Sequence, residues 1–154
     1  MKTLFFETAI DTELFAATLA SMIEAPANIY LEGQLGAGKT TFVKGFLAGC
    51  GYEGLVKSPT YTLVETYDVR TGVILHADLY RIKDLEELET MGFRDYFNAQ
   101  TIGLIEWASH AKAWLPTPLF LCTLKMQDNF AGRVLEIQAG LPLTKSLRDW
   151  FKEL

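Results

Sequence analysis

Residues 33–40, Gly33-Gln34-Leu35-Gly36-Ala37-Gly38-Lys39-Thr40, constrain this chain more than any other stretch. They fit the spacing G-x-x-x-x-G-K-[ST] of a phosphate-cradling P-loop. The apolar run 27–31 before them reads as a buried strand, and 41–47 after them reads as the start of a helix. Strand, glycine loop and helix in that order are the context this pattern requires. Glycines let the backbone approach an anion closely. Successive N–H groups and the positive end of the helix then converge on it. Lys39 is placed to reach β- and γ-phosphates, and the Thr40 hydroxyl is a hard oxygen ligand suited to Mg²⁺. The expected nucleotide-binding residues are therefore Gly33, Gln34, Leu35, Gly36, Ala37, Gly38, Lys39, Thr40 and Thr41. The loop contains no proline, so each of its residues keeps an N–H donor.

The remaining pattern places this unit in a mixed sheet. Residues 2–7 read as a short strand, and Asp11 as the cap of a helix over 12–23 whose apolar stripe is Leu14, Phe15, Leu19 and Ile23. Ala25-Pro26-Ala27 ends it, and Gly51 follows the helix after the glycine loop. Stretches 61–68 and 72–80 form an expected β-hairpin. On its second strand Val73, Leu75, Ala77 and Leu79 share one face, and Ile74, His76, Asp78 and Tyr80 the other. A short acidic helix is expected at 84–91, continued or followed by a second over 92–97. The uncharged run 101–105 has the form of a central parallel strand. Strands at 119–125 and 133–139 are joined by a loop over 127–132, and a helix over 144–154 presents Leu147, Trp150, Phe151 and Leu154 on one side. The expected class is α/β: a P-loop NTPase with a central mixed β-sheet, parallel in its core with antiparallel hairpins, flanked by helices.

Composition bounds what such a chain does. A length of 154 residues with 49% hydrophobic and 21% charged residues suits one globular domain over 1–154. No apolar run approaches the roughly 20 residues of a membrane span, and the apolar run within residues 1–7 is too short for a secretory leader. A cytoplasmic location is expected. Cys50 and Cys122 form no C-x-x-C pair, which argues against zinc and for two reduced, buried thiols. The net charge is −5 and no Lys/Arg cluster occurs, so a role in nucleic-acid metabolism would run through a protein partner.

A glycine loop binds phosphate without naming a reaction. In many such proteins a neighbouring apolar strand ends in a carboxylate that helps hold Mg²⁺, and 101–105 ending in Glu106 is the segment of that form. Asp78, in His76-Ala77-Asp78-Leu79-Tyr80-Arg81, is a second candidate, either orienting an attacking water or standing behind the metal. His76 reads as a structural hydrogen-bonding histidine rather than a base, and Arg81 as a phosphate contact or a surface ion pair. Thr60 lies where a segment responsive to the γ-phosphate and its metal is expected, or it simply opens a strand. The catalytic candidates are thus Lys39, Thr60, Asp78 and Glu106, with Thr40, Asp78 and Glu106 as metal candidates. Trp107 and Trp114 read as core, with a base or partner contact the other reading. The chain lacks Asn-Lys-x-Asp, a D-x-x-G switch after the loop, and Leu-Ser-Gly-Gly, which turns the nucleotide expectation from GTP and transporter chemistry toward ATP. A small-molecule kinase or a nucleotide-sensing module that does not hydrolyse are the alternatives. A kinase usually needs an arginine-bearing lid, and 84–97 offers Arg94 alone in a mostly acidic stretch.

The ordered set GQLGAGKTT, SPTYTLVE, HADLYRI and LIEW resembles the TsaE (YjeE) family over essentially the whole chain. That resemblance implies a weak, partner-dependent ATPase supporting synthesis of threonylcarbamoyladenosine beside the tRNA anticodon. It implies TsaB and TsaD as partners, which perform the transfer and which ATP binding or hydrolysis resets or regulates, with tRNA met only indirectly. It implies ATP/ADP and Mg²⁺ as ligands, Lys39 and Thr40 on phosphate and metal, and Glu106 as a metal-associated carboxylate. Thr60 and Asp78 fall in the family's next two segments, Trp107 in its IEW segment, and the adenine is implied near 7–12.

Overall fold

A computed structural model of the chain describes residues 1–127 and 132–154. Most of the loop expected over 127–132 lies outside the described residues. Seven strands form one sheet in the order β1-β7-β6-β2-β5-β4-β3. These are β1 (Lys2–Phe6), β2 (Ala27–Glu32), β3 (Val64–Val69), β4 (Gly72–Asp78), β5 (Thr101–Glu106), β6 (Phe120–Met126) and β7 (Arg133–Ala139). Strands β6, β2, β5 and β4 run parallel, while β3 pairs antiparallel with β4, β7 with β6, and β1 with β7. The sheet is thus mixed, with a parallel centre, as the patterning requires. Strand β5 is buried along its whole length, as expected of a strand covered on both faces.

Helices α1 (Ala9–Ala20), α2 (Lys39–Gly49) and α4 (Lys145–Glu153) cover one face. The other face carries α3 (Leu85–Thr90) and two 3₁₀ segments, Phe93–Tyr96 and Ala108–Trp114, packed on Tyr30, Leu75, Ala77 and Ile105. Helix α4 buries Leu147 and packs Trp150, Phe151 and Leu154 on the core, the side read from its periodicity. Among the described residues no helix is long and apolar enough to cross a membrane. Cys122 is buried and Cys50 half-buried, both unpaired; burial pushes the Cys50 thiol up to about 11.

Four sequence expectations are corrected. Helix α1 is capped by Thr8, not Asp11. The Asp11 N–H donates to Thr8 Oγ1 at 3.2 Å and the Thr8 N–H donates to Asp11 Oδ2 at 2.8 Å, a reciprocal capping box that starts the helix earlier. Of the expected stripe, Leu19 and Ile23 are buried and Phe15 packs on the core, joined by Thr12, Ala16 and Ala20, whereas Leu14 is 62% exposed. Small residues face inward because α2 comes very close: a Cβ placed on Gly45 would lie 2.5 Å from the Glu13 Cα. Strand β3 begins at Val64 rather than at 61, because the Leu63 N–H turns back to the Pro59 carbonyl and Leu63 takes a φ of 69°. Strand β4 ends at Asp78, so Leu79 and Tyr80 stand beyond it.

Gly45→Val places two methyls against the backbone of α1. It is expected to lower the unfolding free energy by roughly 1–3 kcal/mol, read as a lower urea midpoint with an unchanged slope.

Candidate functional site

The glycine loop leaves β2 at Gly33 and enters α2 through Gly38, whose φ of 103° is open to glycine and strained for other residues. Because the cap is glycine, no side chain occupies the first N–H groups of α2, which remain available to an anion. The Ala37 N–H is already used on the Gln34 carbonyl, and the Ala37 side chain is buried in the core.

Lys39 is 5% exposed. Its Nζ donates to the Gly33 carbonyl at 2.7 Å and to the Gln34 carbonyl at 3.0 Å, and lies 4.6 Å from the centre of the Trp107 ring. Burial holds its pKa below the usual lysine range, against the opposing pull of Glu106, Asp78 and Glu32. The lysine is therefore a partly desolvated cation whose present partners are neutral carbonyls and an aromatic face.

The carboxylates arrive by strand register. Glu106 pairs with Leu31 of β2 on one side and with Asp78 of β4 on the other, so all three stand at one level at the C-terminal ends of parallel strands. Thr40 Oγ1 donates to Glu106 Oε1 at 3.4 Å, and buried His76 Nε2 lies 2.8 Å from the same oxygen. Thr60 Oγ1 reaches Asp78 Oδ2 at 3.5 Å and Ser58 Oγ at 2.7 Å, while the Tyr80 N–H donates to Asp78 Oδ1 at 3.0 Å. Thr60, Asp78 and Glu106 line one cavity of about 220 Å³ with Lys39, Thr40 and Trp107. Leu35, Gly36, Gly38 and Thr41 complete its wall, and Gly33 and Gln34 stand behind it as the carbonyls that hold Lys39.

The donor set suits a phosphate-bound Mg²⁺. Among the described residues there is no cluster of three or more His, Cys, Asp or Glu able to hold a metal alone. Mg²⁺ commonly takes only one or two carboxylates and completes its shell with phosphate oxygens and water. One hydroxyl and one or two carboxylates beside an uncapped helix end match that requirement.

A second cavity, of about 250 Å³, flanks the same loop. Glu7, Thr8, Ala9 and Thr12 line it opposite Gly36, Gly38 and Thr41, which brings the 7–12 segment to the loop. Arg133 also lines it and donates to the Gly36 carbonyl at 3.3 Å. Sequence reasoning missed Arg133, since nothing local ties β7 to a loop 97 positions earlier.

Trp107 packs on the second core, as the core reading expects, and it also lines the site. Its N–H donates to the Leu31 carbonyl, and its φ of 57° turns the chain so that the ring covers Lys39. A non-glycine residue held there is a strained backbone supported by its surroundings. Part of that support is Glu32, which accepts from the Ser109 N–H at 2.7 Å and the Ser109 Oγ at 3.1 Å. Arg81 stacks on Tyr61 and Arg94 on Trp114, which is half-buried against the core.

The family model described as "Threonylcarbamoyl adenosine biosynthesis protein TsaE" matches residues 6–134. The chain is 49% identical over 123 residues to a tRNA threonylcarbamoyladenosine biosynthesis protein TsaE of Haemophilus influenzae, covering 80% of this chain and 77% of that protein. It is 41% identical over 118 residues to the TsaE of Bacillus subtilis, covering 75% and 73%. The crystal structure of Bacillus subtilis YdiB superposes with a TM-score of 0.77 at 28% identity, over 99% of this chain and 95% of that one.

Glu32→Ala frees the Ser109 end of the 3₁₀ segment that follows Trp107. It is expected to cost about 1 kcal/mol of stability, since the bonds lie at the surface. In a Trp114→Phe/Trp150→Phe background the emission of Trp107 is expected to shift to longer wavelength.

Proposed function

The chain belongs to the TsaE family of threonylcarbamoyl adenosine biosynthesis proteins, and from that premise we propose that it is a Mg²⁺-dependent, weak ATPase that supports the tRNA-modifying proteins TsaB and TsaD. The observation that carries the proposal is the convergence of Lys39, Thr40, Thr60, Asp78 and Glu106 on one cavity beside the uncapped N-terminus of α2. In this reading the cofactor-binding residues are those of the glycine loop through Thr41, and the 7–12 segment accepts the base.

Lys39 exchanges two neutral carbonyl acceptors for phosphate oxygens. Charge-assisted hydrogen bonds of that kind are about twice as strong as neutral ones, so the lysine is held ready rather than committed. Thr40 and Glu106 offer the oxygens for the metal. When bound, Mg²⁺ neutralises charge on the phosphates. Asp78, tied to Thr60 and to the backbone of Tyr80, is a fixed acceptor that orients water toward the terminal phosphate. No step of group transfer to tRNA is assigned to this chain. Its acidic balance fits a protein that meets tRNA through its partners, in the cytoplasm.

The deciding experiment reconstitutes tRNA threonylcarbamoylation with purified TsaB and TsaD. With the wild-type chain and ATP, modification is expected to proceed through many turnovers. Lys39→Ala is expected to show no ATP binding by calorimetry and to leave modification near a single turnover; undiminished turnover with that variant overturns the proposal. Glu106→Ala is expected to lose about 100-fold in Mg²⁺-dependent hydrolysis. Its metal-free ADP affinity should stay within about threefold, as measured by titration with and without MgCl₂.

A further inference from the structure

His76 is fully buried, and its Nδ1 has no hydrogen-bond partner among the described residues. A histidine used only to fill a core would be a poor choice there, because burying an unpaired polar atom is costly where an apolar side chain would not be. That cost is offset at the other ring nitrogen, where Nε2 lies 2.8 Å from Glu106 Oε1. We infer that His76 is a positioning residue for Glu106: it anchors Oε1 and so presents Oε2 to the cavity where a phosphate-bound metal sits. The inference rests on the ATP and Mg²⁺ reading above and adds a residue to it.

The geometry supplies each link. His76 pairs with Leu104 in the parallel ladder, so Glu106 lies two residues further along the neighbouring strand on the same face. Both side chains rise from central strands, and their separation is fixed by sheet hydrogen bonds. A carboxylate only accepts, so Nε2 carries a ring proton and donates it to Oε1. Thr40 Oγ1 reaches the same Oε1. Oε1 therefore takes both bonds, while Oε2 has no hydrogen-bond partner among the described residues. Metal ligands are routinely oriented by a hydrogen-bonded neighbour of this kind, usually with a histidine as the ligand and a carboxylate behind it. Here the two roles are exchanged.

Two measurements test this. In the nucleotide-free protein, long-range ¹H–¹⁵N spectra are expected to show a proton on His76 Nε2; a bare Nε2 overturns the inference. Calorimetry then compares ADP binding with and without MgCl₂ for the wild type, His76→Gln and His76→Asn. The Gln amide nitrogen reaches the place of Nε2, and the shorter Asn amide does not. His76→Asn is expected to lose about 10–100-fold of the magnesium-dependent gain in affinity, with metal-free ADP binding unchanged, and His76→Gln is expected to restore most of it. An Asn variant that keeps the full gain overturns the inference, as does one that loses metal-free binding equally, which marks a purely structural residue. Should the Asn variant not fold, a folded Gln variant without the gain overturns it. A wild type that binds ADP with no magnesium gain overturns the metal reading of Glu106 and this inference together, whereas a normal wild-type gain left intact by the variants sinks the inference alone.

Discussion

The parallel register across β2, β5 and β4 is the constraint on which the site depends. It sets Leu31, Glu106 and Asp78 at one level. The chain beyond Leu31 becomes the glycine loop, the chain beyond Glu106 becomes the turn at Trp107, and the chain beyond Asp78 becomes the turn at Tyr80. Slipping β5 or β4 by a single residue would move its carboxylate to the opposite face of the sheet. The register is protected by burial on both faces, where Ile102, Leu104 and Ile74 face α1 and α2, and Leu75, Ala77 and Ile105 face the other layer. The positions of the polar groups are therefore a by-product of how apolar side chains fill two cores.

Against this rigid platform, the loop holds a cation in an uncomfortable state. Lys39 is desolvated, ringed by carboxylates that are not its direct partners, and bonded to its own loop carbonyls. Such an arrangement costs folding stability and favours any ligand that supplies anionic oxygen. Trp107 adds an aromatic wall at the expense of a left-handed backbone. Both are local departures from the best-folding choice, gathered at one place, as expected of a functional site.

Much of this was legible in the sequence. The glycine loop announces its own strand and helix. The run ending in Glu106 reads as a central strand because it holds no charge, and the alternation over 133–139 gives β7 its exact bounds. What stayed hidden was decided by distant segments. Leu14 belongs to an apolar stripe by spacing, yet Gly45 draws the small-residue side of α1 inward instead. The cap is readable in principle, since Thr8-x-x-Asp11 has the spacing of a capping box, but Asp11 alone is also a good cap residue. Trp107 as a single aromatic carries no sign of the turn that aims it at Lys39. Arg133 meets the loop only because β7 pairs with β6, which pairs with β2.

The close approach of α1 and α2 carries an evolutionary consequence. Of the two cavities that flank the glycine loop, one is walled by the start of α2 without α1 and the other lies between the starts of the two helices. Their spacing is set where Gly45 touches the main chain of Glu13. Main chain is common to every amino acid, so the identity of residue 13 is free to drift while the gauge is kept. The approach is kept by missing side chains on α2, at Gly45 and again at Gly49 against the main chain of Ala17, and by small buried residues on α1, while the outward positions of α1 are open to change.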